Sequence, residues 1–497
     1  MSSGRVRECA AVLIFWAAVT AYYAFVVSAG YLDHWPSWTA LYDAQAQGFR
    51  AGHLYLPEEP SGVLKALPNP LDPANQKYWR WDHSYFAGRF YLYWGLVPAA
   101  LLALVKAVFR IQQTVGDEVL VFAFTIGRLV AGTLLIRALA RQVTPRPAAW
   151  AVWLALFAFA FANPTPFVLA RGAIYEASIS AGICFTVAGM YLALRSVAGP
   201  IRSSVAWGAA AGAAFGLAAD SRISLLPAAA ALTLIAATAV WTRAQSEGVR
   251  VGRARLLAAY TATPAAFVVA VQLFINHLRF GSWFEYGVKY QMGIPFHLGP
   301  RFIIPNLYLY LLQPSRFTCP FPFVTAPWDQ ARSVAPTWLR WPHDYRWTEP
   351  NSGLLVALPL AWLLVIFVGV VLWRRKAGTT PQQTPFSSAA RRIIVGLWTW
   401  ALLAAAPVLV MFSLSMRYEA DFATPILLLA TLAGWYLLTT TSQAARVVAT
   451  IAYASLGIIT VFFGGLLGFT GYSDHIARFN PSLWTHLVSV LRLCSSP

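Results

Sequence analysis

The sequence predicts an all-α polytopic integral membrane protein with about eleven transmembrane helices. It forms a single membrane-embedded domain over residues 1–497, with interfacial helices in a long first outer loop. Three observations predict this. Of the 497 residues 58% are hydrophobic and 11% charged, and mean hydropathy is +0.56, far above a water-soluble domain. Apolar runs long enough to cross about 30 Å of hydrocarbon recur along the whole chain. Arginines and lysines stand in the gaps between these runs, so the net charge of +18 reports membrane orientation. The composition excludes a soluble enzyme, a disordered chain and a nucleic-acid binder.

The runs lie at residues 9–30, 119–139, 148–163, 173–194, 203–219, 222–241, 256–277, 352–373, 393–415, 422–441 and 446–470. A further stretch, 90–109, begins FYLYWGLVP and ends in Lys106 and Arg110. Basic clusters at Arg5/Arg7, Arg137/Arg141/Arg146, Arg195/Arg202, Arg243/Arg250/Arg253/Arg255, Arg374/Arg375/Lys376/Arg391/Arg392 and Arg446 share one side only if 90–109 does not cross. The positive-inside rule assigns that side to the cytoplasm. The stretch is therefore read as an interfacial or re-entrant helix, with the N-terminus inside and the C-terminus outside. Only five of the 37 basic residues are Lys, a bias that with the many alanines suggests a high-GC bacterial genome and the bacterial cytoplasmic (inner) membrane.

The basic residues alone orient the spans, yet the orientation sorts the others. Of 19 acidic residues all but Glu8 and Glu247 fall outside, and all eight histidines lie outside or at the outer end of a span. Any chemistry is expected on that face. No P-loop, GxGxxG, HExxH or GxSxG occurs, so the common nucleotide, hydrolase and protease signatures are absent. The series Gly208/Gly212/Gly216 and Gly464/Gly468 has the spacing that lets transmembrane helices approach closely. Cys9, Cys184, Cys319 and Cys494 are too few and too scattered for a disulfide framework or a zinc site, and no disulfide is predicted.

The first extracytoplasmic loop, 31–118, is too long to be structureless. SWTALYDAQAQGFRAG reads as a short helix with Ser37 as N-cap and Gly52 at its stop. Trp38, Leu41, Tyr42 and Phe49 would face lipid, with Asp43, Gln47 and Arg50 toward water or a cavity. Asp33, in YLDHW, stands just beyond the first span, where a base for a lipid-borne substrate belongs, or an ordinary juxtamembrane charge. Asp82, in RWDHSYF, is a third candidate, with a turn pairing to Arg80 or Arg89 as its plainer role. Arg171 and Glu176, and Asp220 and Arg222, sit close to hydrocarbon, where charges line cavities or pair with each other. The second large extracytoplasmic segment, 278–350, offers Glu285, Lys289 and Tyr290 as ligand contacts, an interfacial helix at 302–312, and a Trp/Pro-rich stretch with Asp329, Asp344 and Glu349. MRYEADF places Arg417, Tyr418, Glu419 and Asp421 at the outer ends of two spans. Arg417 could grip a phosphate bidentately or pair with Asp421 one turn on.

YLDHW followed by AGHLYLP, the FYLYWGLVPA helix, the YEAS segment and MRYEADF together resemble the GT-C membrane glycosyltransferases. The pattern looks most like relatives of family 39, which include protein O-mannosyltransferases and lipid A aminoarabinose transferases. The resemblance implies a GT-C-like fold and a sugar donated from a polyprenyl-phosphate-linked lipid to an envelope glycan, lipid or protein on the outer face. It carries the catalytic acid over to Asp33, here followed by His34 where relatives have Glu, with Asp43 as the fallback. A loop carboxylate would take the acceptor proton while Arg417, Arg222 and Lys289 bind the departing phosphate, supported by Glu176, Arg171, Tyr418 and Asp421. Inversion at the anomeric carbon follows from a single displacement.

Two other readings belong to other classes. A flippase for a polyprenyl-linked glycan would place charges near mid-bilayer, whereas the charges noted above cluster at outer ends. A noncatalytic scaffold of an envelope-assembly complex would also use an aromatic, Pro-rich surface. The outer loops hold enough carboxylates for a divalent metal but no fixed-spacing ligand motif, so no metal ligand is assigned.

Overall fold

The computed structural model describes residues 3–293, 297–327, 335–346, 348–376 and 384–494, and Asp329 lies outside them. The side chains of Arg5, Arg202 and Arg375 also lie outside the description. Among the described residues nine helices are long and apolar enough to cross a membrane: Val6–Val27, Asp117–Ala140, Ala149–Leu169, Ile174–Ala198, Ile223–Ser246, Val251–Phe280, Ser388–Leu409, Met416–Thr440 and Gln443–Phe479. The protein is a multi-pass helical membrane protein.

The two other expected spans differ from these for local reasons. Ile201–Ser221 is a full 21-residue helix, but its alanines and glycines give it less apolar character than its neighbours. Those same residues let it pack tightly. A Cβ at Gly212 would lie 1.8 Å from Thr261 O, and one at Gly216 would lie 3.0 Å from Ala265 Cα. The glycine series is thus a seam against Val251–Phe280, and Gly464 likewise approaches Phe161 O. The expected continuous span 352–373 is broken instead. Leu354–Ala357 ends at Leu358, a short 3-10 turn covers Pro359–Ala361, and the helix proper is Trp362–Lys376. Pro359 supplies no N–H and bars its predecessor from helical geometry.

The two ends of the bundle differ in chemistry. At the basic end Arg137 pairs with Glu8 and Arg243 with Glu247, and Val143 bridges to Phe386. At the other end the chain leaves the first helix and re-enters the bundle at Asp117. The Asp117 carboxylate accepts from Thr39 Oγ1 at 2.5 Å, Leu41 N at 3.1 Å and Tyr42 N at 3.2 Å. It therefore caps the helix Leu41–Arg50. The expected cap, Ser37, bonds Thr39 O and the Glu118 carboxylate instead, and the helix starts three residues later than its Ser signal suggested. Val97–Val108 has 12 residues, about 18 Å of helix, which is short of the hydrocarbon thickness. It packs on Leu41–Arg50 instead.

Three expectations are corrected here. Tyr42 is buried in protein rather than facing lipid, and Asp43 beside it is fully buried, because Lys106 on the facing helix reaches the Asp43 carboxylate. The chain is not purely helical. His83–Phe86 pairs antiparallel with Arg89–Tyr91 and with Gln291–Met292, and Arg316–Phe317 pairs with Val324–Thr325. Ala87 and Gly88 both have positive φ, the geometry of a two-residue hairpin turn between aromatic-rich strands. Finally, Cys319 and Cys494 form a disulfide across 175 residues. The scatter of cysteines in sequence hid this pair, which Leu493 N and Cys319 O align with a 2.9 Å hydrogen bond.

Candidate functional site

The Asp117 end of the bundle gathers charged and aromatic residues from distant parts of the chain. Asp82 precedes the strand His83–Phe86 and has φ of +64°, a left-handed conformation that non-glycine residues seldom adopt. Its backbone N donates to Met292 O at 3.1 Å, which fixes the turn to the neighbouring strand. Its carboxylate accepts from Tyr175 Oη at 2.5 Å and Tyr93 Oη at 3.3 Å. Tyr93 accepts in turn from Gln291 Nε2 at 2.9 Å. Burial, and then Tyr175 and Asp82 beside it, hold the Tyr93 hydroxyl well above its ordinary pKa, so it stays protonated. Asp82 is only half-buried, leaving its carboxylate reachable. The turn pairings weighed for it do not form, since Arg80 bonds Glu58 and Arg89 bonds Glu59.

Tyr175 joins this carboxylate to a buried ionic network. Its ring lies 4.4 Å from the Arg417 guanidinium, a cation–π distance. The next residue, Glu176, accepts through Oε1 from Arg171 at 3.1 Å and from Arg417 at 3.4 Å. Arg417 also reaches Glu349 at 3.2 Å. The Tyr472 ring lies 4.4 Å from Arg171 and 5.2 Å from Arg417. Asp421 does not pair with Arg417 one turn away. Arg222 Nε holds both Asp421 oxygens, at 2.7 and 2.8 Å, and Ser224 Oγ adds a third bond at 3.0 Å. Arg222 also stands over Tyr418 at 5.6 Å, which closes the cluster. Guanidinium groups held this way are oriented in advance, so a ligand need not order them.

Eight of the residues singled out from sequence meet here: Asp82, Arg171, Glu176, Arg222, Glu349, Arg417, Tyr418 and Asp421. Lys289 stands at the edge, exposed in the turn Val288–Tyr290 that leads into the strand beside Asp82. Asp33 and Asp43 bond elsewhere. The Asp33 side chain is 81% exposed and bonds His34 at 3.0 Å, a contact that holds its carboxyl below the ordinary carboxylate range. Asp43 bonds Lys106 and, at 2.6 Å, Gln47. Tyr93, Gln291 and Tyr472 went unmarked in the sequence, where each is one more aromatic or polar residue in an interface-rich loop. Among the described residues no group of three or more His, Cys, Asp or Glu is placed to hold a metal ion.

No family model and no curated protein matches the chain. Solved structures do. The oligosaccharyltransferase of Archaeoglobus fulgidus in its apo form is similar over 98% of this chain and 60% of its own, at 14% identity and a TM-score of 0.46. The same archaeal enzyme, AglB, in complex with an inhibitory peptide and a dolichol-phosphate aligns over the same shares at 12% identity and a TM-score of 0.42. ArnT from Cupriavidus metallidurans, bound to undecaprenyl phosphate, is similar over 94% of this chain and 78% of its own, at 11% identity and a TM-score of 0.41. The chain thus spans about three fifths of the archaeal enzyme's length.

Proposed function

We propose that this protein is a membrane glycosyltransferase that moves a sugar from a polyprenyl-phosphate-linked donor to an acceptor hydroxyl at the Asp117 end of the bundle. The observation that carries the reading is the half-open Asp82 carboxylate, tied through Tyr175 to the Arg417 network. Guanidinium groups suit a phosphate, and carboxylates with tyrosine rings suit a sugar. Their position at the end of apolar helices suits a donor whose tail stays in the bilayer.

In this reading Asp82, ahead of the sequence-favoured Asp33 and Asp43, takes the proton of the acceptor hydroxyl. The acceptor oxygen forms its bond to the anomeric carbon as the bond from that carbon to the phosphate oxygen breaks. The polyprenyl phosphate leaves with the electron pair, and the anomeric centre inverts. Arg222, whose Nη groups have no hydrogen-bond partner among the described residues, and exposed Lys289 meet the phosphate first. Arg417, already bonded to two carboxylates, orients Tyr175 and Glu176. The acceptor is an envelope glycan, lipid or protein, and the site faces out of a bacterial cytoplasmic membrane.

The test is release of labelled sugar from a panel of polyprenyl-phosphate-linked donors in liposomes, with crude envelope acceptor present. One donor should turn over, and Asp82→Asn should abolish turnover in protein that remains folded. Loss with Asp33→Asn and retention with Asp82→Asn would return the base to Asp33. Turnover of no donor would overturn the enzyme.

A further inference from the structure

Arg128 is the twelfth residue of the 24-residue helix Asp117–Ala140, about 16 Å along it from Asp117 and hence midway across the bundle. It is buried. Its Nη2 reaches only Thr424 Oγ1, at the outer limit of 3.5 Å, and its Nε and Nη1 have no acceptor. The Phe159 ring covers one face of the guanidinium at 4.1 Å. No carboxylate pairs with it among the described residues. The ionisable groups that feel its charge are Tyr23 and Cys184. Tyr23 donates its hydroxyl to Ala160 O at 2.6 Å and so keeps its proton, while Cys184 is a buried free thiol.

A cation held midway across the hydrocarbon without a counter-charge is costly, and proteins place one there only where something compensates it. The guanidinium lines a cavity of about 20 Å³ bounded by Thr125, Thr165, Ile179, Ser180, Ile183 and Thr424. Its wall combines one cation, the hydroxyls of Thr165, Ser180 and Thr424, and aliphatic side chains that exclude bulk water; the Thr125 hydroxyl donates to Val121 O. The cavity exceeds the ~10–15 Å³ that one water needs, so it admits a single body of about that size or slightly larger. A water would solvate the guanidinium but leave its charge uncompensated.

We propose that this cavity is a monovalent-anion site, occupied by a halide of the size of chloride that serves as the counter-ion of Arg128. The ion locks the helices Asp117–Ala140, Ile174–Ala198 and Ala420–Thr440 together beneath the polar cluster. The site is separate from the one proposed for the donor and holds whatever reaction the cluster performs.

Thermal unfolding of the full chain in lipid nanodiscs tests this at matched ionic strength in sodium chloride, sodium bromide and sodium gluconate. The wild type should melt higher in chloride and bromide than in gluconate, with a shift that saturates as halide rises. Ser180→Ala, which keeps the guanidinium, should raise the halide needed for half the shift by about tenfold. Arg128→Met should melt at one temperature in all three salts. Crystals grown in bromide should show an anomalous peak between Arg128, Ser180 and Thr424. A melting temperature indifferent to halide in the wild type, or bromide crystals without that peak, would overturn the proposal. Failure of Arg128→Met to fold leaves the wild-type titration, Ser180→Ala and the bromide peak to decide.

Discussion

Tyr175 touches both halves of the cluster at once: its hydroxyl donates to Asp82 at 2.5 Å while its ring lies 4.4 Å from the Arg417 guanidinium. One side chain therefore couples a reachable carboxylate to a buried cation. Tyr175→Phe separates the two roles by removing the hydrogen bond and keeping the ring. A hydrogen bond to a charged group is worth about 1.5–3 kcal/mol, so turnover should fall by about 10- to 100-fold. Folded yield should be unchanged, and sugar release in liposomes measures the effect.

The Asp43–Lys106 pair is a different kind of contact, with side-chain exposures of 0% and 1%. Lys106→Met strands a buried carboxylate and should cost about 3–5 kcal/mol. The double variant Asp43→Leu/Lys106→Met should recover most of that. Denaturant unfolding of the helix pair, followed by Trp fluorescence, compares the three proteins. Asp43→Asn is likewise expected to lower folded yield before it changes turnover per folded molecule.

Gly212→Ala would set a Cβ 1.8 Å from Thr261 O. Backbone cannot yield that much without parting the helices Ile201–Ser221 and Val251–Phe280, and overpacking of this kind costs about 1–3 kcal/mol. Gly252→Ala, on the same second helix with nothing within 4 Å of its Cβ, should be neutral or slightly stabilising. Melting temperatures of the two variants give the contrast.

His83 starts the strand that follows Asp82, and burial lowers its pKa below the ordinary value of 6.5. Because the folded state resists protonation, the unfolded state binds more protons as pH falls below 6.5. Stability from this group is full above that value and declines below it. Melting temperature measured from pH 7.5 to 5 should therefore drop on the acid side, and the drop should be shallower in His83→Gln.

Cys494→Ser removes the covalent tie to Cys319. Disulfides typically contribute about 2–4 kcal/mol, so the variant should melt lower than the wild type. The wild type under reduction should match it. Thiol labelling of unfolded, unreduced protein should find only Cys9 and Cys184.

The helical membrane character was plain from sequence because apolar length and basic gaps are one-dimensional signals. Eight cluster residues were also visible, since charges next to hydrocarbon are conspicuous. What was hidden depended on pairing across the fold. Asp117 capping Leu41–Arg50 overrode the local Ser37 signal, and Lys106 drew Asp43 out of play. Position just beyond a span favoured Asp33, whereas the hydrogen bonds that mark Asp82 come from Tyr93 and Tyr175. The hairpin was legible in SYFAGRFY, had its alternating aromatics around Ala87–Gly88 been weighed. Arg128, alone inside an apolar run, carried its own signal.

The bond between Cys319 and Cys494 closes a covalent ring that includes the helices Trp362–Lys376, Ser388–Leu409, Ala420–Thr440 and Gln443–Thr470. A protease that nicks the turn at Thr441–Ser442 would produce two polypeptides that still migrate as one until a reductant is added. The bond also cannot form until Gln443–Thr470 has been inserted. Oxidation at Cys319 therefore reports that this helix is in place.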